Sequence, residues 1–201
     1  MEDGAYRLAS VAIFTAGVSM SIRHRLRADR EGGKVSLAAE PLHLLIPLRV
    51  AGLLFLASYV TWLANPAWTA WASVPIPAAV RWLGAVVGAA CVPLIWWVFT
   101  SLGRNVSPTV LTRKRHQLVT HGPYRWVRHP LYTVGAAAWL SLGLLMANAF
   151  MLLLGATAFL ILRKRTEIEE AKLLDRFGVR YRRYMARTGR FLPGWITAAG
   201  S

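Results

Sequence analysis

The sequence predicts an all-α, polytopic integral membrane protein with about five transmembrane helices and a helical cytoplasmic C-terminal segment. Three observations carry this. Of 201 residues, 55% are hydrophobic, and the mean hydropathy is +0.40, too apolar for an ordinary soluble domain in a chain too short for a large transporter. The apolar residues gather in runs close to the roughly 20 residues that a bilayer crossing needs. The formal net charge is +15 although only 16% of residues are charged, so the basic residues cluster between those runs. Basic chains also occur among nucleic-acid binders. Beside bilayer-length runs, positive cytoplasmic loops are the simpler cause, so membrane lipids rather than nucleic acid are the expected surroundings.

The first span runs from about Tyr6 to Ile22. The second runs from about Ile46 to Leu63, with Arg49 near enough to one end to snorkel. The third runs from about Ala78 to Leu102, with Arg81 near its start. The fourth apolar run, Leu131 to Leu162, is too long for one span and short for two full ones. Ala147-Asn148 in its middle suggests a tight hairpin of two helices that extend past the apolar boundary, giving five spans. The competing count is four, with one bent helix.

Charge distribution favours five. Arg23, Arg25, Arg27, Arg30 and Lys34 follow the first span, and Arg104, Arg113, Lys114, Arg115, Arg125 and Arg128 follow the third. Arg163, Lys164 and Arg165 open the basic tail. With five spans all these segments share one side, the cytoplasmic side by the positive-inside rule. The loop "NPAWTAWASVPIP" on the other side has no charge and carries Trp68 and Trp71, as an interfacial belt would. The N-terminus starts with Glu2 and Asp3 and lacks a small-residue cleavage site, so a retained anchor helix is expected. Cys91 is the single cysteine, which leaves no disulfide framework and no cysteine metal site within one chain.

Beyond Arg163, Ile168, Leu173, Leu174 and Phe177 suggest that the fifth helix continues, with Gly178 as its stop. A short helix over Val179 to Ala186 follows, ended by Pro193-Gly194. No internal repeat or low-complexity linker appears. Residues 1–201 form a single domain, with three membrane helices in 1–100 and the polar, chemistry-bearing region in 101–193.

Two segments of that region hold the candidates. In "RTEIEE", Arg165 and Glu169 are four apart and share a helix face. The pair is either a helix-surface salt bridge or a carboxylate placed at the membrane mouth to face a cationic ligand. In "HQLVTHGPYRWVRHPLY", Gly122-Pro123 forces a turn, and Pro130 suits the first turn of a helix. His129, before a proline, is biased to an extended conformation. Tyr124, Arg128, His129 and Tyr132 can then converge where helix-start N–H groups favour an anion, although a plain positive-inside collar accounts for the arginines equally well. His116, His121 and His129 lie close together without an accompanying carboxylate or cysteine, so no metal site is expected. The two segments together would suit a mixed-charge cofactor.

"HQLVTHGPYRWVRHPLYTVG", followed after the hairpin by "RTEIEEAKLLDRFGVRYRRYMARTGRFLP", resembles the isoprenylcysteine carboxyl methyltransferase family, relatives of the phospholipid N-methyltransferases. The resemblance covers roughly residues 101 to 193: an RHPxY element, a hairpin, RxxxEE, FG-x-x-Y-x-x-Y and a final LP. It implies S-adenosylmethionine as methyl donor, bound in a cytoplasmic pocket roofed by the C-terminal segment. By motif, His116, Gln117, Leu118 and Val119 correspond to a cofactor-binding "H-x-L-V" segment. Tyr124 matches the tyrosine of the turn, His129, Pro130, Leu131 and Tyr132 match the HPxY cofactor element, and Glu169 matches the cofactor-contacting acid. Arg165 matches the arginine assigned to substrate and catalysis. Thr109 aligns near a polar cofactor residue, but "SPTVLTRK" departs from that pattern. On this view the Arg128–His129 region would meet the donor's carboxylate.

The implied acceptor is lipophilic: the carboxylate of a prenylcysteine-like or other lipid-soluble acid. Alternatives are phospholipid N-methylation, an NADPH-dependent sterol-reductase-like oxidoreductase, whose family shares the RHPxY-like element but is much longer, and a small lipid-binding scaffold without catalysis. The alanine- and arginine-rich composition suggests a bacterial inner-membrane protein with its active site facing the cytoplasm.

Overall fold

The computed structural model describes residues 2–32, 41–103 and 117–194. The described residues contain six α-helices and no strand: α1 (Glu2–Gly32), α2 (Leu42–Ala64), α3 (Ala78–Leu102), α4 (Pro130–Leu145), α5 (Ala149–Phe177) and α6 (Val179–Met185). Two 3-10 turns, Pro66–Ala72 and Gly122–Arg125, lie between them. Helices answer the constraint that apolar surroundings impose, because each satisfies its own backbone N–H and C=O groups. Pro47 and Pro93 sit inside α2 and α3, a position tolerated in membrane helices.

Among the described residues, three helices are long and apolar enough to cross a membrane: α1 over Gly4–Arg30, α2, and α3. The 16 residues of α4 reach about 24 Å at 1.5 Å per residue. At 29 residues, α5 is apolar in its first half and charged in its second, and it runs unbroken to Phe177, where Gly178 (φ 53°) caps it. α1 also exceeds its expected bounds, continuing past Ile22 through the arginine-rich stretch to Gly32.

α3 packs along α4, α4 along α5, α1 against α3 and α2 against α5. The core runs through all five: Tyr6 and Ile13, Phe55 and Tyr59, Ala85, Leu142 and Leu145, Met151 and Leu154. Leu8, Leu53, Val60, Leu83, Val86 and Leu160 point outward and are exposed, as suits a lipid-facing surface. Small residues let the helices approach. A Cβ at Gly88 would lie 2.8 Å from Ser141 Oγ and 2.9 Å from Ile13 Cδ1, where α1, α3 and α4 meet.

The α4–α5 turn is the hairpin expected at Ala147-Asn148, and Ala147 takes φ 50° there. Asn148 accepts a hydrogen bond from the Met151 N–H at 3.0 Å, capping α5, and donates to the Thr69 carbonyl at 3.3 Å. The Val74 N–H donates to the Ala147 carbonyl at 2.9 Å. The hairpin tip is thus stitched to the uncharged α2–α3 loop, where Trp68 and Trp71 are exposed. Arg81 serves this end, donating from Nε to the Leu145 carbonyl at 2.9 Å with its guanidinium 3.7 Å from the centre of the Tyr6 ring. At the opposite end Ala28, Phe99 and Leu131 pack together, joining the ends of α1 and α3 to the start of α4. Arg128 and the charged half of α5 belong to that end.

Candidate active site

The site is built where the turn before α4 meets the second half of α5 and the folded-back C-terminal segment. Gly122 opens the turn at φ 60°, and a Cβ there would overlap the Ser101 side chain, so the turn needs glycine on both counts. Pro130 then starts α4. His129 stops short of full extension, at φ −122° and ψ 56°, as its N–H donates to the Arg190 carbonyl at 3.0 Å.

That bond belongs to a strap. The Arg128 N–H donates to the Gly189 carbonyl at 2.9 Å and the Gly189 N–H to the Trp126 carbonyl at 3.1 Å. Thr133 Oγ1 donates to the Phe191 carbonyl at 2.8 Å, and the Tyr184 hydroxyl to the Tyr124 carbonyl at 2.6 Å. Arg128 Nη1 donates to the carbonyls of Met185 and Thr188. The segment after α6 is thereby fixed across the start of α4.

Beneath the strap Glu170 is a buried hub. Its Oε1 accepts from Arg128 Nε at 2.8 Å and lies 3.2 Å from His129 Nε2. Its Oε2 accepts from Arg190 Nη2 at 2.6 Å. Burial by itself would push this carboxyl up. Hydrogen bonds from His129, Arg128 and Arg190, with the charge of Arg128, outweigh burial and hold it down at about 2. Burial pushes the hydroxyls of Tyr124, Tyr181 and Tyr184 well above their ordinary range, keeping them protonated.

Glu169, the next residue, faces a different corner. The Tyr132 hydroxyl donates to its Oε1 at 2.6 Å. His129 Nδ1 lies 3.5 Å from Oε2 and Arg165 Nε 3.6 Å from Oε1. Its side chain keeps 18% of its surface exposed, against 4% for Glu170, so of the two acids it is the one a ligand can reach. Tyr132 and Arg165 are shared with an apolar cavity of about 330 Å³ between the helices. Ser21 and Arg25 of α1, Gly52 of α2, Phe99 of α3, and Gly135 and Trp139 of α4 help to line it.

The geometry thus brings His129, Tyr132, Arg165 and Glu169 around one corner, with Pro130 starting α4 next to it and Tyr124 buried in the preceding turn. Leu131 turns to the cavity and to Phe99. Gln117 is exposed, and Leu118 and Val119 are half-buried in the irregular stretch before the turn. His116 and Thr109 lie outside the described residues. Arg128, expected to meet a ligand carboxylate, is committed to Glu170 and to backbone carbonyls. Glu170, whose role the sequence leaves open, and Arg190, not singled out from sequence, are structural members of the site. The doubled acid of RxxxEE is the signal for Glu170, whereas nothing local marks Arg190. Among the described residues no cluster of histidine, cysteine and acids could hold a metal.

Comparison with known proteins places this region. The isoprenylcysteine carboxyl methyltransferase (ICMT) family matches residues 82–175, from α3 through most of α5. A protein-S-isoprenylcysteine O-methyltransferase from Mus musculus is 38% identical over 101 residues, 48% of this chain and 35% of its own length. One from Tribolium castaneum is 36% identical over 96 residues, 45% of this chain and 34% of its own length. The match therefore spans about a third of these relatives. The solved structure of the eukaryotic intramembrane Ras methyltransferase ICMT superposes with a TM-score of 0.54 at 20% identity, over 92% of this chain and 68% of that one. This second likeness is one of fold.

Proposed function

The chain belongs to the isoprenylcysteine carboxyl methyltransferase family through residues 82–175, and on that premise we propose that it is an integral-membrane methyltransferase. It transfers a methyl group from S-adenosylmethionine to the carboxylate of a prenylcysteine-like or other lipid-soluble acid. The observation that carries this is the double role of Tyr132 and Arg165, which contact Glu169 on one side and line the apolar cavity on the other. A polar cofactor corner and a lipid-accepting cavity would meet there.

The donor set fits the cofactor. Glu169 is a reachable carboxylate, oriented by a tyrosine hydroxyl and set beside the His129 and Tyr132 rings, which stack with centroids 5.7 Å apart. Such an acid suits the ammonium or sulfonium charge of S-adenosylmethionine better than a dinucleotide phosphate. Tyr124, His129, Pro130 and Tyr132 would wall this corner, and Gln117, Leu118 and Val119 would approach from the stretch before it. When bound, the cofactor supplies a methyl group already activated on a positively charged sulfur.

The protein's part is then positioning and exclusion of water. Arg165 holds the acceptor carboxylate, which is already ionised and needs no general base. The apolar cavity takes the acceptor's chain. The strap over Arg128, His129 and Thr133 closes the cytoplasmic face. In this reading α4 and the apolar half of α5 cross the membrane as a short hairpin, making five spans with the active site facing the cytoplasm. A bacterial inner membrane is the setting the composition suggests.

Calorimetric titration of the detergent-solubilised protein tests the proposal. S-adenosylmethionine should bind and NADPH should not, and Glu169→Gln should weaken the first by at least tenfold, about 1.4 kcal/mol. Binding of NADPH alone, or unchanged S-adenosylmethionine affinity in Glu169→Gln, refutes the cofactor assignment.

A further inference from the structure

The arginines in the last turns of α1 divide between two faces. Arg23, Arg27 and Arg30, at i, i+4 and i+7, line an open groove with Trp96 and Thr100 of α3, where a positive-inside collar belongs. Arg25 follows a different stripe. Gly17, Ser21 and Arg25, at i, i+4 and i+8, all line the inter-helix cavity, as one helical face requires.

Arg25 of α1 and Arg165 of α5 line that one cavity, together with Tyr132. Two arginines from helices far apart in sequence thus line a chamber whose other walls, Ser21 apart, are glycine, aromatic and aliphatic. Like charges brought together in restricted surroundings raise the energy of the empty site. An anion placed between them reverses that, and a guanidinium pair offers a carboxylate several charge-assisted hydrogen bonds.

We propose that Arg25 is a specificity-determining residue, forming with Arg165 a two-arginine receptor for the carboxylate of a lipid-chain acceptor whose tail occupies the cavity. This rests on the acid-acceptor function proposed above and extends it. Arg25 selects acids against amines and neutral lipids by adding a second positive charge to that of Arg165, which alone is offset by Glu169 at 3.6 Å.

The test is equilibrium binding of a radiolabelled S-prenyl thioalkanoic acid and of its primary amide to the full chain in detergent, without cofactor. The wild type should prefer the acid. Arg25→Ala should weaken the acid by roughly tenfold or more while leaving the amide within about twofold, and Arg25→Lys should recover part of the loss. Arg25→Gln carries the same prediction should the alanine variant not fold. A wild type that does not prefer the acid overturns the acid-acceptor function together with the role of Arg25. A wild type that prefers it, with Arg25→Ala and Arg25→Gln unchanged, overturns the role of Arg25 alone. Equal weakening of acid and amide also overturns it, by assigning Arg25 to the fold.

Discussion

Glu169 and Glu170 are consecutive residues facing different partners: the first accepts the Tyr132 hydroxyl at 2.6 Å, the second the Arg128 guanidinium at 2.8 Å. Neighbours on a helix point about 100° apart, which suffices here to separate a partly exposed acid from a buried one. The division has consequences that substitution can read. Glu170→Gln leaves Arg128, whose side chain is 10% exposed, buried without its counter-charge. Breaking a buried pair from one side costs on the order of 3 kcal/mol, so the thermal midpoint in detergent should drop by several degrees. Glu169→Gln, which loosens only the longer 3.6 Å pairing with Arg165, should lower it less and act chiefly on cofactor binding. Equal midpoints for the two variants would contradict the division.

The same hub sets an acid limit. The Glu170 carboxyl is held down at about 2 from an ordinary 4.5. A depressed carboxylate contributes stability that is present above its unfolded value and lost as pH falls through its folded value. The strap should therefore loosen progressively between about pH 4.5 and 2. Limited proteolysis by an acid-active protease, read as cleavage beyond Gly178, follows this. Cleavage that begins well above pH 4.5 would assign the strap to other groups.

Much of the frame is legible in the sequence because hydropathy and chain punctuation act locally. α3 has its expected bounds, Gly178 stops α5, and Asn148 marks the hairpin. α1 outruns its apolar stretch because no glycine or proline interrupts the arginine-rich turns before Gly32, and helix continues where hydropathy ends. The pairing of Arg128 with Glu170, 42 residues apart, is not legible in this way. Nor is the turn of Arg25 away from its neighbouring arginines into the cavity. Both depend on which helix faces lie together, and local pattern does not encode that.

Tyr132→Phe removes one hydroxyl and little volume. It should weaken S-adenosylmethionine binding by roughly tenfold, in line with the 1.5–3 kcal/mol typical of a hydrogen bond to a charged group, while leaving the fold intact. Calorimetry alongside a melting curve checks this. A tenfold loss accompanied by a collapsed melting midpoint would make Tyr132 a packing residue instead.

Gly189 lies where the strap doubles back, and a Cβ there would overlap the Leu192 carbonyl. Since backbone cannot yield as a flexible side chain can, Gly189→Ala should detach the segment from Arg128 and Trp126. Faster proteolysis beyond Gly178 and weaker cofactor binding should appear together, with the α1–α5 bundle still folded by circular dichroism. Normal protease resistance would show that the strap is held without this close turn.

Gly135 offers the cleanest probe of the cavity. It lines the chamber, and an added Cβ would meet nothing within 4 Å. A side chain there therefore starts into open space, and replacing glycine within a helix lowers its conformational cost. Gly135→Leu should keep or raise the melting midpoint while narrowing the path for an acceptor chain. Long-chain acids should lose turnover by at least tenfold, about 1.4 kcal/mol, and short-chain acids far less, with S-adenosylmethionine affinity unchanged. A uniform loss across chain lengths would place the acceptor elsewhere, because only a chain threaded past Gly135 can sense the added side chain in proportion to its length.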